Sequence, residues 1–79
     1  MPRVVIVERE LHEDILGLAY QRTGRIIIDP RQCEDDYLDT LVHELIHVGA
    51  PELSERKTIK LAGVIAKNLW KQGYRKKEK

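Results

Sequence analysis

The chain has 79 residues and a formal charge of +1, from 14 Lys and Arg against 13 Asp and Glu. That leaves room for one domain with a modest core and excludes the strong uniform field of a highly basic nucleic-acid binder. A single cysteine, Cys33, excludes an internal disulfide framework, and neither a membrane-length apolar run nor a secretory signal is found. A soluble protein of a reducing cytoplasm is therefore expected.

In chain order, residues 3–8, RVVIVE, are short and rich in β-branched side chains, which predicts a first strand. Residues 15–20 and 25–29 flank the segment Gln21 to Gly24, where a glycine free to take a positive φ suits a hairpin turn. Leu11, Ile15 and Leu18 are also helically spaced, so a helix over 10–20 is the alternative. Asp29-Pro30 ends the hairpin, because proline lacks a donor and biases the residue before it away from helical angles.

A helix is then predicted from Glu34–Asp36, where acidic side chains suit the positive end of the dipole. Its apolar residues Leu38, Leu41, Val42, Leu45, Ile46 and Val48 recur at steps of three and four, and Gly49 with Pro51 stops it. Ser54 is the expected N-cap of a second helix reaching Gln72 or Gly73. Ile59, Ala62, Ala66, Leu69 and Trp70 form its apolar stripe, widened by Leu61, Val64 and Ile65. Residues 74–79 form a basic tail, read first as a solvated helix end whose cations suit the macrodipole, with phosphate binding as the alternative. The expected architecture is α+β: one domain over 1–79 in the order β-β-β-α-α, with a small three-stranded sheet and two helices packed on one face.

The chemistry lies in HELIH, residues 43–47. Residues four apart on a helix share a face, so His43 and His47 can direct imidazole nitrogens at one ion, and two imidazoles favour zinc. Glu44 stands about 100° around the helix from His43, off the metal yet close enough to take a proton from metal-bound water. Two surface histidines flanking a glutamate would produce the same letters. Against that, the motif falls on an independently predicted helix, its intervening residues Leu45 and Ile46 are apolar, and Asp36 and Thr40 extend the polar stripe of the histidines.

A catalytic zinc has three protein ligands and an open position. Glu55 heads the apolar stripe of the second helix, where a buried carboxylate would need a partner; the alternatives are that Glu55 is an exposed first-turn acid satisfying the helix dipole, or that Glu52 in the loop before it is the ligand. Cys33 and His12 are expected to face solvent. Tyr20, Tyr37, Tyr74 and Arg75 are candidate donors for the oxyanion of a tetrahedral intermediate, and Trp70 is read as a packing residue.

With these residues in view, the run from Arg25 to Trp70 resembles the zincin core, in which an edge strand precedes a helix bearing HExxH and a second helix carries a glutamate. The likeness covers about residues 24–75. It is strongest to short HExxH proteins of bacteriophages and prophages, and looser to the ImmA/IrrE and SprT-like metallopeptidases. The resemblance implies a gluzincin-type arrangement with His43, His47 and Glu55 as zinc ligands and Glu44 as base. It also implies an edge strand, Arg25–Asp29, that binds an extended peptide by strand addition. The metzincin continuation is absent, since Ala50 and Leu53 stand where its glycine and third histidine would be. The resemblance does not extend to the C-terminal subdomain that walls the far side of the cleft in larger zincins.

The leading expectation is a minimal zinc-dependent peptidase acting on a peptide or protein. A non-catalytic, zinc-stabilised protein-binding module, regulatory in a phage, is the second reading. A nucleic-acid-associated module using the basic tail is the third.

Overall fold

The computed structural model describes residues 3–77. Strands β1 (Val5–Glu8), β2 (Gly17–Tyr20) and β3 (Arg25–Ile28) precede helices α1 (Glu34–Gly49) and α2 (Glu55–Lys71), the expected α+β order. No helix among the described residues is long and apolar enough to cross a membrane.

β2 and β3 form the expected hairpin. Gly24 takes φ 76°, its N–H donates to the Tyr20 carbonyl at 2.8 Å, and Tyr20 pairs with Arg25. Residues 10–16 form an irregular loop and not a helix. The sheet order is β1-β3-β2, with β1 parallel and β2 antiparallel to β3. β3 is thus the central strand, with both backbone edges paired. Ile26, Ile27 and Ile28 are all buried: Ile26 and Ile28 face α1, and Ile27, on the opposite face, is flanked by side chains of the neighbouring strands, among them Val5, Val7 and Tyr20.

α1 is the middle layer of the molecule. Tyr37, Leu41, Leu45 and Val48 pack on Ile26 and Ile28 of the sheet, whereas Leu38, Val42 and Ile46 pack on Ala62, Ala66 and Leu69 of α2. Both helices lie on one side of the sheet, but α2 reaches it through α1. Small residues at 62 and 66 bring the helix backbones close. The buried positions of α2 are Thr58, Ala62 and Ala66. The stripe read from the sequence is therefore too wide: Ile59, Leu61, Val64 and Ile65 are exposed, because a partner of one helix width covers only a narrow strip of α2.

The caps follow local chemistry. Ser54 Oγ accepts the Lys57 N–H at 3.2 Å, as expected. Cys33 at the N-cap of α1 makes no side-chain bond, and Glu34, Asp35 and Asp36 supply the first-turn negative charge instead. α2 ends at Lys71, slightly earlier than predicted. Gly73, at φ 90°, closes it with Tyr74 N–H donating to the Leu69 carbonyl at 3.1 Å, the six-to-one bond of a glycine C-cap.

The expected solvated tail is in fact folded back. The Arg75 guanidinium lies 3.3 Å from the centre of the Trp70 ring, and Lys76 pairs with Glu8 and donates to the Tyr37 hydroxyl. Cation–π attraction and a charged pair on β1 draw in what composition alone reads as a charge run. Glu78 and Lys79 lie outside the described residues.

Candidate metal centre

Because α1 is covered by the sheet on one flank and by α2 on another, its remaining side must carry its polar residues. His43 and His47 stand there, one turn apart, with side chains about one-fifth exposed. The rings meet edge to face, with centroids 4.7 Å apart. The turn after α1 brings the first residue of α2 back to the same end. Glu55 Oε1 lies 2.8 Å from His43 Nε2 and 3.2 Å from His47 Nε2, and the two Nε2 atoms are 3.1 Å apart.

Three mutual contacts of this length cannot all be good hydrogen bonds. If both imidazoles donate to the carboxylate, two N–H groups confront each other across the third side. A single cation at the centre, accepting a lone pair from each atom, satisfies all three. Zinc bonds of about 2.0–2.1 Å in a tetrahedron place ligand atoms about 3.3 Å apart, close to the triangle observed. The donor set, two imidazoles and a carboxylate, suits zinc chemically. Glu52 is not part of this group, and Cys33 belongs to a separate exposed group with Asp35 and Asp36. His12 is exposed in the loop after β1.

Glu55 arrives by a route other than the one its spacing suggests. Its side chain is 62% exposed, so it is not an inward acid in need of rescue. Position at the head of α2, beside the end of α1, is what brings it to the histidines.

Glu44 behaves differently. It is 8% exposed and, among the described residues, its carboxylate has neither a hydrogen bond nor an ion pair. Burial pushes its pKa up from the ordinary carboxylate value, and the nearby His43 and His47 partly oppose the rise. It opens onto a cleft of roughly 480 Å³ between α1 and the start of β2, bordered also by His43, Thr40, Asp39, Gly17 and Asp14.

Gly17 is required for that approach. A Cβ at this position would stand 2.7 Å from Thr40 Cγ2 and 3.0 Å from Glu44 Oε2, so a side chain there displaces one or both. Thr40 Oγ1 donates to Gln32 Oε1 at 2.8 Å, and Gln32 Nε2 donates to the carbonyls of Leu16 at 3.2 Å and Asp29 at 2.9 Å. These bonds tie the glutamate's flank of α1 to the strand across the cleft. Gln21 Nε2 donates to the His47 carbonyl at 3.0 Å, a second tie from the hairpin turn.

Two sequence expectations are corrected here. Residues 25–29 are not an edge strand, since Arg25–Ile28 is paired on both sides, and they cannot bind a peptide by strand addition. The edge next to the cleft is β2. Its ladder starts with Asp29 N–H donating to the Leu16 carbonyl at 2.9 Å, so by antiparallel alternation the backbone groups of Gly17 and Ala19 point out of the sheet. The hairpin was legible, but which of its strands β1 joins is a long-range pairing with no local signal.

The candidate oxyanion donors also lie elsewhere. Tyr20 sits on the outer sheet surface with Val5 and Val7. Tyr37, Tyr74 and Arg75 border a separate apolar pocket with Trp70. Tyr37 donates to Glu8 Oε2 at 2.6 Å; burial and that acceptor raise its pKa. Gly17, Gln32, Asp14 and Asp39 had escaped notice as site residues. Asp39 had a signal, lying one turn before His43 on the helix; the others come from loop and strand positions with none.

Comparison with known families, curated proteins and solved structures finds no match.

Proposed function

We propose that the protein is a zinc-dependent peptidase in which His43, His47 and Glu55 hold the metal and Glu44 is the general base. The observation that carries this reading is the convergence of His43 Nε2, His47 Nε2 and Glu55 Oε1 within 2.8–3.2 Å of one another, beside a buried carboxylate with no hydrogen-bond or ion-pair partner among the described residues. Bound zinc would acidify a water molecule and polarise a substrate carbonyl.

The chain's own residues supply the rest. Glu44, adjacent to His43 and open to the cleft, takes the proton from the attacking water and returns it to the leaving amine. Its place beside His43 and its opening onto the cleft suit both halves of that task, since the same carboxylate stands within reach of the attacking water and of the leaving amine. The outward backbone groups of Gly17 and Ala19 offer hydrogen bonds to an extended peptide, so the substrate lies along β2 and not along residues 25–29. The exposed single thiol of Cys33 suits a reducing compartment, and we place the activity in the cytoplasm.

Metal analysis of the purified protein should find one zinc per chain, lost in Glu55→Ala and kept in Glu52→Ala. A peptide library should be cleaved by the wild type and not by Glu44→Gln. Zinc retained by Glu55→Ala would remove the third ligand from the scheme, and undiminished cleavage by Glu44→Gln would end the mechanism.

A further inference from the structure

Among the described residues, no helix covers the outer face of the sheet. Ile26, Ile28 and Ala19 turn toward α1, and α2 packs on α1 and on no strand. By alternation, Val5, Val7, Leu18, Tyr20, Arg25 and Ile27 stand on the other side. Register sets them in two rows: Arg25 lies opposite Val5 of β1 and Tyr20 of β2, and Ile27 lies opposite Val7 and Leu18. The Tyr20 ring and the Arg25 guanidinium are therefore cross-strand neighbours. Both border an open trough of roughly 700 Å³, which Arg9 and Thr23 complete.

The polar groups of this face are unspent. Tyr20 is 49% exposed, and among the described residues its hydroxyl makes no hydrogen bond. Arg9 and Arg25 are exposed, and among the described residues neither guanidinium has a hydrogen bond or an ion pair. Elsewhere Arg31 and Lys76 each lie against a carboxylate, whereas no Asp or Glu among the described residues borders the trough.

These features select the occupant. A purely apolar partner would bury two guanidiniums without acceptors, and a second copy packed face to face would bring like charges together. An acidic protein segment would answer the charge and leave the flat ring unused. A single nucleic-acid strand supplies both parts, phosphates for the cations and open bases for the ring, whereas a duplex keeps its bases stacked inside. Arg9 lies four residues along β1 from the row of Arg25, on the order of 13 Å, so the two cations can meet different phosphates of one strand.

We propose that the outer face of the sheet binds single-stranded nucleic acid, with a base stacked on Tyr20 and phosphates held by Arg9 and Arg25. The site is separate from the peptidase reading, since the sheet stands between this face and the histidines of α1. It is separate also from the basic tail, whose Arg75 and Lys76 are engaged at Trp70 and Glu8.

The test titrates the full-length protein into a fluorescent oligothymidylate of about 15 nucleotides, a length within the range of single-strand sites, and reads anisotropy. Saturable binding at low salt is expected, weakening as salt rises with a log–log slope of about −1.4, the value for two phosphates neutralised on a single strand. Tyr20→Ala should weaken binding about tenfold, and Tyr20→Phe should keep most of it, because the ring and not the hydroxyl stacks. Arg25→Gln should flatten the salt slope by about 0.7. Changing Lys60 and Lys67 of α2 to Gln should alter little, and thermal melting of each variant checks its folding.

No saturable binding, or equal binding by wild type and Tyr20→Ala, overturns the proposal. Loss of binding in the α2 variant, with Arg9→Gln and Arg25→Gln unaffected, moves the phosphate contacts to α2 and overturns it too. Polyglutamate bound as tightly as the oligonucleotide gives the face to an acidic protein segment. Self-association abolished by Tyr20→Ala, with no oligonucleotide bound, gives it to a second copy. None of these outcomes depends on zinc or on cleavage, so the site and the peptidase stand or fall separately.

Discussion

Asp29 and Glu44 are both buried carboxylates, 5% and 8% exposed, and the chain treats them in opposite ways. Asp29 is saturated. Its Oδ2 accepts from Leu11 N–H at 2.8 Å and Arg31 Nη2 at 2.7 Å, and its Oδ1 accepts from Arg31 N–H and Nε, both at 3.0 Å. The Arg31 side chain first, then the backbone donors, hold its carboxyl far below the ordinary carboxylate range. Glu44 has no such donors among the described residues, and burial moves its carboxyl upward. A buried acid with its lone pairs filled is a structural clamp, here pinning the loop after β1 to the end of β3. A largely buried acid whose oxygens face only an open cleft is free to take up and release a proton there.

The contrast breaks most visibly at Glu44. Glu44→Gln should cut peptide cleavage by about 100- to 10,000-fold, the usual worth of a general base, with zinc content and melting temperature held or improved. A marked loss of stability would instead put Glu44 in the same class as Asp29. Next in size is Gly17→Ala, whose added carbon crowds Thr40 and Glu44. A displaced base costs roughly ten- to a hundredfold in rate, so steady-state kinetics should show a fall in kcat with zinc still bound. An unaffected kcat would mean that the glutamate's position does not depend on that close approach.

Asp29→Asn tests the other member. It should lower Tm by several degrees, because Arg31 loses the nearer of its two charged partners and keeps only Glu10, at 3.7 Å, and should leave zinc binding intact. The sign of its pH dependence follows from a folded pKa that lies below the unfolded one, about 3.9. The stabilisation is complete above that unfolded value and fades as pH falls from about 4 toward the lower folded pKa. Denaturant titrations should therefore show wild type and Asp29→Asn converging in acid. A gap that persists to the lowest pH would assign the loss to shape and not to charge.

The smallest effect is expected from Thr40→Val, which removes the bond to Gln32. It should cost about 1 kcal/mol in chemical denaturation and loosen the tie between α1 and β2, giving a modest rise in KM.

Much of this was determined by the sequence alone. The step of three and four through Leu38, Leu41, Val42, Leu45 and Ile46 dictates α1, the four-residue spacing of His43 and His47 puts both on one face, and Gly24 and Ser54 mark a turn and a cap. Each is a local matter, set within a few residues by backbone sterics and helical geometry. Tertiary structure decided the rest. Only packing could show that β1 joins β3 and leaves β2 at the edge, since strand order is a long-range choice. Only the return of α2 along α1 could bring Glu55 to the histidines although it is exposed, and carry Arg75 and Lys76 back onto Trp70 and Glu8. Asp29 and Glu44 look alike as letters, and what separates them is the donors that the folded chain brings to one and withholds from the other.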